Sequence, residues 1–142
     1  MTASPGYPSR LHGPEQMREY RQARRIGRYS PANVRAVLWA WRGLRSAARS
    51  LAADGLGATV PRPPRVPSGA RRGVEAVLRR TSPTCLERSL VLQTWLAAHG
   101  VPCEVVVGVA PTADGVAAHA WLDVEAGDET ALRYVELHRL AP

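Results

Sequence analysis

Proline divides this chain into the pieces it can fold into. With a fixed φ and no N–H, proline opens helices, ends them and stays out of central strands. Pro31, Pro61, Pro63, Pro64, Pro67, Pro83, Pro102 and Pro111 leave uninterrupted stretches over 32–60, 68–82 and 84–101. Ser30-Pro31 reads as a helix start, with Ser30 as N-cap and Pro31 at the first helical position. The helix is predicted to run to about Ala53, and Asp54-Gly55-Leu56-Gly57 ends it. Val34, Val37, Leu38, Trp41, Leu44, Ala48 and Leu51 recur at spacings of three and four, so they form the face expected to pack. Arg35, Arg42, Arg45 and Arg49 fall mostly off that face. The prolines from Pro61 to Pro67 predict an extended linker of polyproline character. Val74 to Arg80 reads as a short helix. Residues 1–14 are rich in Pro, Gly and Ser, and a short helix is admitted between Glu15 and Tyr29. The expected organisation is a flexible basic segment over 1–29, a helical region with a Pro-rich linker over 30–80, and an ordered unit over 81–142.

Charge follows the same division. Residues 1–80 hold 16 arginines against four acids, and residues 81–142 hold three arginines against eight acids. The net +7 of the 142-residue chain therefore averages two unlike halves. The basic half raises the question of nucleic acid, but no recognisable motif surrounds Tyr7, Tyr20, Tyr29, Trp39 or Trp41, so no nucleic-acid partner is expected. No run of about 18 apolar residues exists, which excludes a transmembrane helix. The N-terminus lacks an apolar signal core, so the chain is expected in the cytoplasm. Two cysteines, Cys85 and Cys103, make no disulfide scaffold and are expected as thiols. Cys and His are too few and scattered for a structural zinc site, and no metal or cofactor is expected.

The C-terminal unit carries clear local signals. Thr84-Cys85-Leu86-Glu87 fits a capping box. Gly100 and Pro102 end the helix that starts there. Strands are predicted over Glu104–Ala110, Ala118–Glu125 and Leu132–Leu140, with a turn over Pro111–Gly115 and a hairpin loop over Ala126–Thr130. A helix on an antiparallel sheet is an α+β arrangement.

Cys85 in the first helical turn is the residue with chemical consequences. A helix N-terminus carries about half a positive charge and unpaired N–H groups, which favour a thiolate and can hold an oxyanion. Such a cysteine needs a base, and His119 is the best candidate. His119, Trp121 and Asp123 share one face of their strand. A hairpin centred on Gly127 and Asp128 sets His119 opposite Glu136, which makes Glu136 the expected partner of the imidazole. Asp128 is the fallback, because a register slip would move every pair. Asp123 lies about 13 Å along the strand from His119 and is a poorer partner. Cys103 reads as a core residue, and His12, His99 and His138 have no evident chemical partner.

Cys85-Leu86-Glu87-Arg88-Ser89-Leu90, Gly100-Val101-Pro102, Val107-Gly108-Val109 and Ala118-His119-Ala120-Trp121-Leu122-Asp123 follow one another in an order and spacing that resemble the transglutaminase-like cysteine peptidases of lasso-peptide biosynthesis. The resemblance covers residues 83–140, and residues 30–80 only in general shape. It implies a transglutaminase-like, papain-like core in which a catalytic helix packs on a small antiparallel sheet after a helical N-terminal region. It also implies removal of the leader from a ribosomally made precursor, after which a cyclase closes the freed N-terminus onto an acidic side chain. Cys85 matches the nucleophile and His119 the general base. Glu136 is the best positional match to an acid on the following strand. Trp121 matches a Trp that packs under the site, and Arg88 a recurrent Arg of no derived role. Asp123 stands where relatives often carry Glu. Residues 1–80 show no hairpin signal for a leader-recognition domain, so the resemblance implies a stand-alone peptidase that works with a separate recognition protein. The basic half is then a candidate docking surface for that protein or the cyclase. Two other readings stay open: acyl or amide transfer at the same site, and a non-enzymatic binder acting through the Arg-rich half.

Overall fold

The computed structural model describes residues 14–23, 26–125 and 133–142. Four helices, α1 (Pro14–Gln22), α2 (Pro31–Asp54), α3 (Arg71–Thr81) and α4 (Cys85–Ala98), precede three strands. The strands are β1 (Val105–Thr112), β2 (Gly115–Leu122) and β3 (Val135–Leu140). This is the α+β arrangement the sequence implies.

The caps form where local chemistry puts them. The Ser30 side chain accepts from Asn33 N at 3.2 Å, with Pro31 in the first turn of α2. At α4 the Thr84 hydroxyl accepts from Glu87 N at 3.3 Å and the Glu87 carboxylate accepts from Thr84 N at 3.0 Å, completing the capping box.

The packed face of α2 differs from the expected one. Asn33, Ala36, Trp39, Ala40, Gly43, Leu44 and Ala47 are buried, whereas Val34, Leu38 and Trp41 are 46%, 52% and 47% exposed. The distance between helix axes depends on side-chain size at the contact, and α2 meets its neighbours through small residues. A Cβ on Gly43 would lie 3.3 Å from Val60 and 3.7 Å from Val91. Trp39 fills the remaining space against Trp95, with ring centroids 5.6 Å apart.

The Pro-rich stretch is bound to the body at both ends rather than hanging as a linker. Trp39 Nε1 donates to Pro61 O at 2.9 Å, and the His99 ring lies 2.9 Å from Val66 O and 2.8 Å from Trp95 O. One cluster of buried side chains then runs from Tyr20 of α1 through Trp39, Val74 and Trp95 to Leu122. The short helix admitted between Glu15 and Tyr29 is α1, and it supplies a core tyrosine whose hydroxyl accepts from Trp95 Nε1.

The sheet order is β2-β1-β3, with β1 antiparallel to both neighbours. The expected hairpin between the last two strands is therefore not formed. The valine run of β1 suits the centre, where a strand is covered on both faces. The β1–β3 register shifts between Val107 and Gly108, leaving Leu137 without a partner. Gly108 is opposite His119 on one side and Glu136 on the other. A Cβ there would meet Trp121 at 2.7 Å and Val135 O at 2.9 Å, so only glycine fits. Gly108→Ala is expected to lower stability by about 1–3 kcal/mol in urea unfolding. Gly27→Ala, at a position with open space around it, is expected to stay within about 0.5 kcal/mol of the parent.

Candidate active site

Cys85 is the first residue of α4 and is half-buried. The first turn has four backbone N–H groups with no partner inside the helix. Glu87 N is taken by the Thr84 hydroxyl, and Arg88 N donates to Thr84 O at 3.0 Å. Among the described residues the N–H groups of Cys85 and Leu86 have no acceptor. They are free to bind an anion formed beside the Cys85 sulfur.

Ser89 connects this helix to the strand that carries His119. Its hydroxyl is buried and donates to Ala120 O at 3.3 Å. Residues four apart share a helix face, so Cys85 lies one turn along the face that Ser89 turns towards β2. Ala120 is the residue after His119 and is opposite Val107 on β1. Ser89 thus fixes α4 against the strand that carries His119, and Cys85 lies one turn N-terminal to that contact. Among the described residues no hydrogen bond joins the Cys85 thiol and the His119 ring.

Strand alternation sorts the side chains of β2. Ala120 and Leu122 are buried, while His119 and Trp121 are half-buried on the other face. The His119 ring stacks on Trp121, with centroids 5.9 Å apart and planes at 20°, and packs against Tyr134 at 5.1 Å. Trp121 in turn covers Gly108. Trp121 thus packs between His119 and Gly108.

The expected carboxylates fall differently. Glu136 is two strands from His119, about 9–10 Å at ordinary strand spacing, because β1 lies between them. Its carboxylate is held by Arg139, with Nε 2.6 Å from Oε1 and Nη2 2.9 Å from Oε2. The geometric ground for pairing it with His119, a hairpin of adjacent strands, is absent. Those Arg139 hydrogen bonds hold the Glu136 carboxyl below its usual range. Asp123 is occupied at the end of β2, where its Oδ1 accepts from Glu104 N at 3.0 Å. Asp128 lies outside the described residues. Arg88 lines a small cavity of about 130 Å³ with Tyr20, Arg71 and Trp95. Among the described residues no group of three or more His, Cys, Asp or Glu could hold a metal ion.

The sequence profile described as the transglutaminase-like superfamily matches residues 31–137. The chain belongs to this superfamily. Its fold commonly carries cysteine-dependent enzymes. The match begins at the first residue of α2, so α2 and α3 are part of the transglutaminase-like domain. Neither a curated protein nor a solved structure is significantly similar to the chain.

Sequence reasoning gave no individual role to Ser89, which bonds the His119 strand, to Tyr134, which packs on His119, or to Gly108, which lies under Trp121. Ser89 had a usable signal, one helical turn after Cys85. Gly108 stood in the Val107-Gly108-Val109 motif without a stated reason for the glycine, and Tyr134 had no signal while the last two strands were read as a hairpin. Ser89→Ala is expected to cost about 1 kcal/mol, since it leaves a buried carbonyl unsatisfied. Glu136→Gln is expected to cost less than about 1 kcal/mol near neutral pH, because its ion pair is exposed. With the carboxyl depressed in the folded state, that difference should fade as pH falls through the carboxylate range, which urea unfolding at several pH values measures.

Proposed function

We propose that this chain is a cysteine peptidase that removes the leader peptide from a ribosomally synthesised lasso-peptide precursor. It would act with a separate leader-recognition protein and a cyclase. The observation that supports the chemistry is the capped, N–H-rich start of α4 at Cys85, on a helix bonded through Ser89 to the strand that carries His119.

In this reading the Cys85 sulfur attacks the carbonyl carbon of the leader–core amide, and its proton passes to His119. The C=O electron pair moves onto oxygen, which the N–H groups of Cys85 and Leu86 stabilise. Collapse of the tetrahedral intermediate breaks the C–N bond, and His119 gives its proton to the leaving amine of the core. The leader is left as a thioester on Cys85. His119 then deprotonates water, which attacks the thioester, releases the leader carboxylate and restores the thiol. Trp121 and Tyr134 hold the imidazole plane by packing, and Glu136, engaged with Arg139, has no part in the proton transfer.

The superfamily match supports a second reading equally, in which an amine rather than water takes the acyl group. The test is incubation of the purified chain with precursor and recognition protein, read by mass spectrometry. Wild type is expected to give free leader and core. His119→Ala is expected to be at least about 100-fold slower, Cys85→Ala inactive, and Glu136→Gln within about threefold of wild type. Cleavage by Cys85→Ala at the parental rate would overturn the assignment. A leader–amine conjugate formed with added primary amine, with no hydrolysis, would establish acyl transfer instead.

A further inference from the structure

The face that α2 turns to solvent has the pattern of a helix-pairing seam. Val34, Leu38, Trp41, Arg45 and Ala48 alternate at spacings of four and three, and all five are exposed. This is the spacing by which two helices interlock side chains. Arg35, Arg42 and Arg49, seven residues apart, form a row beside the seam, at the flanking position where paired helices exchange charges. The Arg45 guanidinium lies 3.9 Å from the centroid of the Trp41 ring. The one acid of α2, Asp54, is at its C-terminal end and accepts from Ser50 Oγ at 3.3 Å. The face is therefore uniformly cationic around an apolar line.

We infer that this face docks an acidic amphipathic helix of a partner protein. Its apolar residues would cover Val34, Leu38 and Trp41, and its carboxylates would meet Arg35, Arg42, Arg45 and Arg49. Charge selects this occupant. Residues 1–13 of the chain contain no Asp or Glu, so nothing in their charge matches the row. A phosphate backbone would satisfy the arginines and leave Val34 and Leu38 exposed to water. The seam is one residue wide and the opposite face of α2 is packed in the core, which leaves little apolar area for insertion into lipid. A helix with leucine at the seam and glutamate beside it satisfies both features together. The surface lies outside the Cys85 site and stands independently of the reaction proposed there.

The probe is a fluorescently labelled synthetic helix of about five turns, with leucine seam residues flanked by glutamate, titrated with the full chain at low ionic strength. The expected result is saturable binding that weakens about tenfold or more in an R42E/R45E variant and in Leu38→Ser. Circular dichroism establishes that both variants are folded, and if one does not fold, Arg49→Glu takes its place with the same expected loss. The same helix with lysine for glutamate is expected not to bind. Binding unchanged by these substitutions, or absent, overturns the proposal. So does tighter binding to a random DNA duplex or to phosphatidylglycerol vesicles, or self-association of the chain abolished by the same substitutions.

Discussion

The grip of α4 on the sheet is the constraint on which the rest of the structure depends. Two polar side chains on its buried face, Ser89 and Gln93, are 5% and 4% exposed. A buried polar group is costly unless it is bonded, and each of these finds strand carbonyls. Ser89 donates to Ala120 O on β2, and the Gln93 amide donates to Cys103 O at 3.0 Å and Leu140 O at 2.7 Å. One helix thus ties together the strand edge bearing His119, the approach to β1 and the end of β3. At its far end His99 binds the Pro-rich segment through Val66 O. These contacts hold the capped helix that begins at Cys85 in one register on the sheet.

Some of this was legible in the sequence and some was not, for physical reasons. The limits of α2 and α4 were legible because caps are local: Ser30, Pro31, Thr84 and Glu87 act within one turn. The strands were legible to within a few residues because turn residues and the valine run mark them. Strand order was not, because alternation fixes which residues share a face but says nothing about neighbours. Reading β2 and β3 as a hairpin put Glu136 against His119, whereas a central β1 separates them. The buried face of α2 was missed for a related reason. Hydrophobicity ranks Leu38 and Trp41 above Ala36, Ala40 and Gly43, yet close helix contact selects the small residues and leaves the larger ones outside.

That second departure changes how the uneven charge is understood. The Arg-rich half is not an appendage to a catalytic unit, since the superfamily match includes α2 and its Trp39 packs on Trp95 of α4. Its inner face builds the core behind α4. Its outer face keeps the arginines and the unburied seam. The chain thus joins, in one domain, a cysteine at a helix start with a cationic helix surface that no described residue covers.

The central claim is that Cys85 forms a covalent acyl intermediate. Chemical quench of a single turnover, with enzyme in excess over precursor and recognition protein, followed by intact-mass and peptide mapping, tests it directly. The account expects a transient thioester of the leader on the Cys85 peptide, sensitive to hydroxylamine and preceding free leader. Release of leader while Cys85 stays unmodified at every time would contradict it.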